Sequence, residues 1–184
     1  KEQHGHIEKV GYDMYCKLLK QTIDELQGIA EKEAGEVKLA LNFGAYIDKK
    51  YIPDEDMRMR LYRNALDLNS QDALTKLLKS VEEAYGKLPD ETRYLFEMGL
   101  IRNLAGKIGV KQIDINPKAT FLTFADGDCF KNKSVMYAVG EAGDEVNLTY
   151  EDCPKLHFAC KFRPIKEKLQ AVKVFLLKCE KTFV

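Results

Sequence analysis

The 184-residue chain is 45% apolar, a content that suits one sizeable globular domain with an N-terminal extension. Lysine plus arginine and aspartate plus glutamate both number 29, so the formal net charge is zero and no global basic field attracts nucleic acid. Nucleic-acid binding would therefore need a local basic patch. The apolar runs are too short for a transmembrane segment.

The cysteine pattern indicates a reducing compartment. Five cysteines form an odd set without a CxxC pair, which favours free thiols over a disulfide framework. No signal peptide follows the polar first residues, Lys-Glu-Gln-His-Gly-His. The chain begins abruptly inside a motif-like segment. We therefore expect a piece of a longer cytoplasmic protein.

The first 35 residues are predicted to precede the compact domain. Residues 8–27 carry apolar side chains at helical spacing: Val10, Met14, Tyr15, Leu18, Leu19, Ile23 and Leu26. Residues 28–36 are small and charged, with a glycine near each end, which is typical of a linker. We expect a helix and linker over 1–35 and a single domain over 36–184.

A strand and two helices are predicted next. Residues 37–41 alternate as a strand does, and residues 45–47 resemble a second short extended segment. Pro53 interrupts regular structure, and Asp54 is a suitable N-cap for a helix with an apolar face and a basic flank. The face is Met57, Leu61, Ala65 and Leu68, and the flank is Arg58, Arg60 and Arg63. Ser70 caps the second helix, which ends at Gly86. Its apolar face is Leu74, Leu77, Leu78, Val81 and Tyr85.

A long helix should begin after Pro89 and stop at Gly109, with Gly99 and Gly106 marking close packing. Residues 110–115 and 120–124 form a predicted hairpin. In the last third we predict strands over 135–139, 145–150 and 157–162, a turn over 140–144, and a helix that opens at Pro164. Together these elements indicate an α+β fold with a small mixed or antiparallel sheet packed by several helices.

Few residues are arranged for catalysis. The chain lacks a GxxxxGK[ST] phosphate loop and shows no Ser–His–Asp or Cys–His set, so we expect neither ATP hydrolysis nor another enzymatic activity. A zinc site at Cys153, His157 and Cys160, completed by Cys129 or Cys179, is an alternative, although its spacing is looser than that of paired zinc ligands. Buried free cysteines beside a strand histidine explain the same pattern, and we assign no metal ligand.

Two ordered blocks of residues point to a family. The first runs Gln3-His4-Gly5-His6-Ile7 and Val10-Gly11-Tyr12-Asp13-Met14-Tyr15. The second runs Tyr51-Ile52-Pro53-Asp54, Arg60-Leu61-Tyr62-Arg63 and Tyr85-Gly86-Lys87-Leu88-Pro89. In order and spacing they resemble the bacterial transcription-repair coupling factor (Mfd) family, at the end of its translocation module and in its C-terminal domain.

This resemblance implies a regulatory role. It implies a non-catalytic, autoinhibitory domain of an ATP-dependent DNA translocase, which covers the enzyme's own N-terminal UvrA-binding module. The parent chain would engage UvrA, RNA polymerase and double-stranded DNA and would use ATP and magnesium. The present chain is expected to need no cofactor and to bind no membrane.

The resemblance also implies particular site residues. The family's contact lies at the end of the helix before the GxLP turn, which places it here at Ser80, Glu83, Ala84 and Tyr85. An arginine usually stands where this chain has Ala84, and its loss removes a bidentate donor. Gln3 matches a glutamine of the translocation motif, which we expect to be idle without the motor domains.

A nucleic-acid-binding module is the other alternative. In it, Arg58, Arg60 and Arg63 and the lysines of the last helix would form a basic face. Because the arginine helix also carries Asp54, Glu55, Asp56 and Asp67, a salt-bridged surface is the competing interpretation.

Overall fold

A computed structural model of the chain describes residues 37–150 and 152–181. The predictions for residues 1–36, which include the helix over 8–27, the linker and Gln3, lie outside the described residues. Within the described part, backbone contacts define two compact units: residues 44–100, and residues 37–43 with 101–181. None of the described helices is long and apolar enough to span a membrane.

The first unit is helical, as the sequence predicts. Helix α1 spans Glu55–Leu66 and helix α2 spans Gln71–Tyr85, and helix α3 (Asp90–Lys107) begins in this unit. Both predicted caps are present. Asp54 Oδ1 accepts a 2.9 Å hydrogen bond from the Met57 N–H, and Ser70 Oγ accepts a 3.2 Å bond from the Ala73 N–H. Each cap satisfies a backbone donor that the first turn of a helix leaves unpaired.

One of the two predicted close approaches is confirmed. A Cβ atom added at Gly99 would lie 3.0 Å from the carbonyl carbon of Ala65 and closer still to its oxygen, so only glycine fits where α3 crosses α1. A Cβ at Gly106 would meet Val37 Cγ2 at 3.4 Å, which is ordinary contact. Gly109 has a φ of +85° and follows the end of α3, as predicted.

The segment over 45–47 joins no strand in the described part of the chain. Ala45 and Ile47 are buried, and the Ile47 N–H donates a 2.9 Å hydrogen bond to the Tyr62 hydroxyl on α1. The Tyr46 N–H donates to the Glu91 carbonyl at 3.2 Å. The expectation of an extended segment here therefore needs correcting, because side-chain and helix-terminal acceptors replace a neighbouring strand.

The second unit contains a mixed five-stranded sheet. Its strands are β1 (Lys38–Leu41), β2 (Val110–Ile115), β3 (Thr120–Phe124), β4 (Val146–Tyr150) and β5 (Pro154–Phe158), in the spatial order β1-β2-β3-β5-β4. β1 is parallel to β2 and the other pairs are antiparallel. The predicted α+β class and the hairpin over 110–124 are confirmed.

The predicted strand over 135–139 is wrong. Residues Lys133–Ala142 form helix α4, and the turn predicted over 140–144 begins inside it. Asn132 Oδ1 accepts hydrogen bonds from the N–H groups of Ser134 (3.1 Å) and Val135 (3.2 Å). Val135 and Ala138, three residues apart, share the buried face. The N-cap and this helical spacing override the strand preference of the two valines.

The last predicted strand is displaced toward the N-terminus. It occupies Pro154–Phe158, rather than 157–162, because Pro154 suits the first position of a strand and the chain turns at Ala159. Helix α5 (Ile165–Lys181) follows Pro164, as predicted. Phe175 on α5 meets Phe158 on β5 edge-to-face, with ring centroids 5.5 Å apart, so α5 covers the face of the sheet that carries Phe158.

Candidate functional site

The end of helix α2 is shaped by glycine and proline. Gly86 has φ +83° and ψ −164°, a combination open only to glycine, and its N–H donates a 2.9 Å hydrogen bond to the Glu82 carbonyl. Leu88 is buried and anchors the segment that leads to Pro89 and α3. The helix therefore ends at Tyr85 in a defined position.

The structure brings three of the four predicted site residues onto one exposed face. Ser80, Glu83 and Ala84 are spaced i, i+3 and i+4, and all three are exposed. Ser80 Oγ donates to the Leu77 carbonyl at 2.9 Å. Glu83 Oε1 lies 3.7 Å from Lys79 Nζ, and both side chains are more than two-thirds exposed. The ion pair is therefore weak, and Glu83 can exchange Lys79 for another partner.

Tyr85 lies beside this face and is half-buried. Its ring contacts that of Tyr51, with centroids 6.1 Å apart and a 59° angle between planes. The Tyr51 hydroxyl donates a 2.9 Å hydrogen bond to the Gly86 carbonyl. Burial, the negative charge of Glu82 and the neighbouring Tyr85 raise the pKa of Tyr51 above its usual value of 10.

Tyr51 belongs to a motif that indicates the family, but the sequence did not predict it as a site residue. Its contacts with Tyr85 and Gly86 span 34 and 35 residues of the chain, a separation that no local pattern reveals. The available signal was an aromatic residue directly before Ile52, and the backbone of Ile52 is restricted to extended conformations because Pro53 follows it.

The electrostatics of this helix end favour a cationic partner. Glu82 and Glu83 are exposed in the last turn of α2, which carries no basic residue. The carbonyl groups at a helix C-terminus carry partial negative charge. The two carboxylates therefore make the electrostatic potential at this helix end more negative. A basic side chain on a partner would relieve that repulsion.

A shallow pocket adjoins the tyrosine pair. It has a volume of about 290 Å³ and shares Tyr51 with the site. Its other lining residues are Tyr46, Asp48, Lys50, Pro89, Glu91 and Thr92. Thr92 Oγ1 donates to the Tyr46 carbonyl at 3.2 Å and fixes one wall. The pocket can accept one side chain of a partner that lies across Tyr51.

The arginine flank of α1 is not a free basic surface. Arg58 is half-buried, and its Nη1 donates to the carbonyls of Ile52 (2.7 Å) and Pro53 (2.8 Å). Arg60 and Arg63 are exposed. On α5, Lys168 and Lys173 are buried, so the lysines of the last helix do not form a single exposed stripe. Arg58, Lys168 and Lys173 are therefore missing from the exposed basic face that the nucleic-acid-binding alternative requires.

The residues of the zinc alternative are not assembled as ligands. Among residues 37–150 and 152–181, no three His, Cys, Asp or Glu side chains are grouped to hold a metal ion. Cys129, Cys160 and Cys179 are buried. Burial raises the pKa of the Cys179 thiol to about 12, and it also raises that of Cys129, which opposes formation of the thiolate that a metal requires.

Comparisons with known proteins place these observations in a family. The TRCF domain model matches residues 41–134, slightly more than half of the chain. The transcription-repair-coupling factor of Staphylococcus haemolyticus is 31% identical over 125 residues, which cover 63% of this chain and 11% of that protein. Its Escherichia coli counterpart is 24% identical over 130 residues, which cover 68% and 11%. The chain thus spans about a tenth of the length of these relatives.

A solved structure shares the fold. The crystal structure of the C-terminal domain of transcription-repair coupling factor matches this chain with a TM-score of 0.68, and the match covers 82% of this chain and 97% of that one. The two sequences are 18% identical, so this likeness concerns the fold alone.

Proposed function

The chain belongs to the TRCF domain family, and we propose that it is the non-catalytic regulatory domain of an ATP-dependent DNA translocase that couples transcription to nucleotide excision repair. Residues 36–184 form this domain in the proposal, and residues 1–35 are the end of the translocation module with its linker. ATP and magnesium serve the motor of the parent protein, and Gln3 acts only in that context.

The proposed action is to mask a partner-binding surface. The domain covers the parent's own N-terminal UvrA-binding module until the enzyme engages stalled RNA polymerase on double-stranded DNA. Such masking is a two-state equilibrium, and it is governed by how much better the contacts are in the closed state than in the open one. A few kcal/mol is enough to change the accessible fraction substantially (about tenfold for each 1.4 kcal/mol).

The observation that carries the proposal is the acidic helix end next to the tyrosine pair. Ser80, Glu83 and Ala84 are exposed together, and Tyr51 and Tyr85 give that face a fixed aromatic border. Aromatic anchors beside a charged group are typical of interface centres. The pocket that shares Tyr51 offers a place for one partner side chain.

Ala84 changes the chemistry of this contact. A methyl group cannot form the two parallel hydrogen bonds that an arginine forms with a carboxylate. In this chain, Glu83 and the aromatic border must therefore supply the affinity. We infer that a basic side chain of the module meets Glu83, because the negative helix end favours that pairing.

The test is titration calorimetry of the 184-residue chain against the isolated UvrA-binding module from the same organism, at low and high salt. We expect binding that weakens with salt and is lost on Glu83→Arg. Glu141→Arg is the matched control, since Glu141 is also exposed in the last turn of a helix but lies in the other unit. Equal loss with both variants, or no effect of Glu83→Arg, would contradict the proposal.

A gain-of-affinity variant makes the test independent of folding defects. Ala84 is exposed, so Ala84→Arg introduces no clash and restores the donor typical of the family. We expect the module to bind about tenfold more tightly, the value of one charge-assisted hydrogen bond. Unchanged affinity would place the contact away from the end of α2.

A further inference from the structure

The two faces of the sheet differ in what covers them. Leu122, Leu156 and Phe158 are buried on the face that α5 covers. On the opposite face, the strand register places Asp114, Phe121, His157 and Asn147 side by side, on β2, β3, β5 and β4. Residues of this row are half-buried at its centre and exposed at β4. This face therefore presents side chains to solvent across several strands.

Two rings lie together at the centre of this row. The Phe121 and His157 rings have centroids 5.6 Å apart and an angle of 33° between their planes. Lys155 Nζ lies 5.7 Å from the centroid of the Phe121 ring. We call Phe121, His157 and Lys155 the aromatic platform. Solvated sheet faces are commonly polar, so two neighbouring rings with a lysine over one of them stand out here as a surface suited to stacking.

From this geometry we propose that the aromatic platform binds single-stranded RNA, with bases stacked on Phe121 and His157. Bases of any sequence stack on aromatic rings, and the exposed aromatics of a β-sheet can take two or three of them. The proposal goes beyond the masking role and does not depend on it, because all platform residues belong to the unit formed by residues 37–43 and 101–181.

The neighbouring row supplies positive charge for the phosphates. The register aligns Lys38, Gln112, Thr123, Lys155 and Thr149. This row lies two residues along the strands from the ring row, roughly 7 Å away, so a backbone can follow it while bases reach the rings. Asp114, beside Phe121, accepts a 2.9 Å hydrogen bond from Gln112 Nε2, and its charge directs phosphates toward the Lys155 side.

Neutral polar side chains around the rings favour ribose over deoxyribose. Asn147 is directly opposite His157, and Thr123 and Thr149 flank Lys155. Amide and hydroxyl groups both donate and accept hydrogen bonds, and the ribose 2′-hydroxyl is a partner that DNA does not offer.

A further aromatic residue, Phe162, lies near the β2–β3 turn, at the end of the sheet where β3 begins. Phe162 is 72% exposed, has a φ of +60°, and its N–H donates to the Pro117 carbonyl in the β2–β3 turn, three residues before Thr120. Lys161 Nζ lies 5.1 Å from the centroid of its ring. A positive φ is unfavourable for a bulky residue and is found mostly where function maintains it. In this proposal Phe162 is a further exposed ring on which a base can stack.

The experiment is fluorescence anisotropy of the 184-residue chain with a labelled oligouridine RNA of about ten nucleotides, the oligothymidine DNA of equal length, and an RNA duplex. We expect the single-stranded RNA to bind more tightly than either of the others. The logarithm of the affinity should fall with the logarithm of salt concentration at a slope of about −1 to −2, because only two lysines line the phosphate row.

Variants separate stacking from folding. Phe121→Leu retains an apolar side chain at a half-buried position but cannot stack, and should weaken RNA binding at least tenfold. Lys155→Ala should reduce the salt slope by about 0.7. Tyr137→Leu and Lys166→Ala are the matched controls, an exposed aromatic and an exposed lysine on helices, and should leave binding unchanged. Phe162→Ala should weaken binding less than Phe121→Leu.

Three results would overturn the proposal. The proposal would fail if no RNA binding were detected at millimolar protein. It would also fail if the Phe121→Leu and Lys155→Ala variants bound RNA as tightly as the unchanged chain. Equal affinity for the oligothymidine would overturn the assignment to RNA. If Phe121→Leu left thermal unfolding unchanged but abolished RNA binding, the result would support stacking on Phe121, because a loss of packing would also lower the thermal stability.

Discussion

The hydroxyl of Tyr51 donates a 2.9 Å hydrogen bond to the carbonyl of Gly86, which joins the segment before α1 to the turn after α2. Because Gly86 ends the helix that carries Glu83 and Ala84, this bond positions the candidate interface. Tyr51, at the aromatic border of this face, thereby helps to fix where Glu83 and Ala84 lie.

Tyr51→Phe should therefore loosen the turn without unfolding the chain. The ring contact with Tyr85 is retained while one hydrogen bond is lost, so the free energy of unfolding should fall by about 1 kcal/mol. Denaturant titration measures this loss, and calorimetry with the UvrA-binding module should show weaker binding. Tyr137→Phe, at a tyrosine that is 56% exposed, serves as control and should change neither quantity. An unchanged free energy of unfolding would mean that the bond contributes nothing in solution.

The raised pKa of Tyr51 predicts a pH dependence of stability. The folded state holds the phenolic proton more tightly than the unfolded state, whose pKa is about 10. The stabilisation is fully present below pH 10 and is lost as the pH rises through the folded-state pKa. Above pH 10, the wild-type chain should therefore lose stability more steeply than Tyr51→Phe, as measured by urea midpoints across the alkaline range. Parallel curves would refute the assignment to Tyr51.

Arg58 and Arg60 of α1 should contribute very differently to the free energy of unfolding. Arg58 donates to two backbone carbonyls, and its removal leaves the Ile52 and Pro53 oxygens without that donor. Arg58→Ala should lower the free energy of unfolding by about 1–3 kcal/mol. Arg60→Ala, two residues away on the same helix and exposed, should stay within about 0.5 kcal/mol of wild type. Similar losses in both variants would show that Arg58 acts only through general helix effects.

Local signals were enough to predict most helices and the hairpin. Asp54 and Ser70 cap the helices they were expected to cap, and Gly86 and Gly109 have positive φ after helix ends. These features depend on neighbouring residues in the chain, so the sequence expresses them directly. The motif blocks led to the family, which the TRCF domain match confirms.

Features that depend on distant residues were not predictable. Val135 and Val139 favour a strand by composition, and only the Asn132 cap and burial at Val135 and Ala138 reveal a helix. The Tyr51–Gly86 bond and the Phe121–His157 ring pair each join residues more than 30 positions apart. Such pairs follow from strand order and turn geometry, which one sequence does not specify.

The contact between Gly99 and Ala65 predicts a large difference between two glycines of one helix. An added methyl group at Gly99 would penetrate the Ala65 carbonyl, so Gly99→Ala should destabilise the chain by about 3 kcal/mol or more. Gly106→Ala meets only ordinary contact and gains helix propensity, so it should be neutral or stabilising by up to about 1 kcal/mol. Thermal and urea unfolding of both variants test this, and equal effects would contradict the close helix crossing.

The burial of Cys179 predicts selective thiol reactivity. Its pKa of about 12, well above that of an unperturbed thiol, leaves very little thiolate at mildly alkaline pH, and its side chain is also shielded by packing. Cys153 is half-exposed. Pulsed alkylation with peptide mass spectrometry should therefore modify Cys153 before Cys179, and Cys179 only on unfolding.

Urea provides the internal control for this measurement. In the unfolded chain both cysteines have ordinary pKa values and equal access, so their rates should converge. Cys179→Ser should remove the slow alkylation and, because it buries a hydroxyl, also lower the free energy of unfolding by roughly 1–3 kcal/mol. If Cys179 of the native chain reacted as fast as Cys153, α5 would not be packed on the sheet in solution, and the face that carries Phe158 would be open as well.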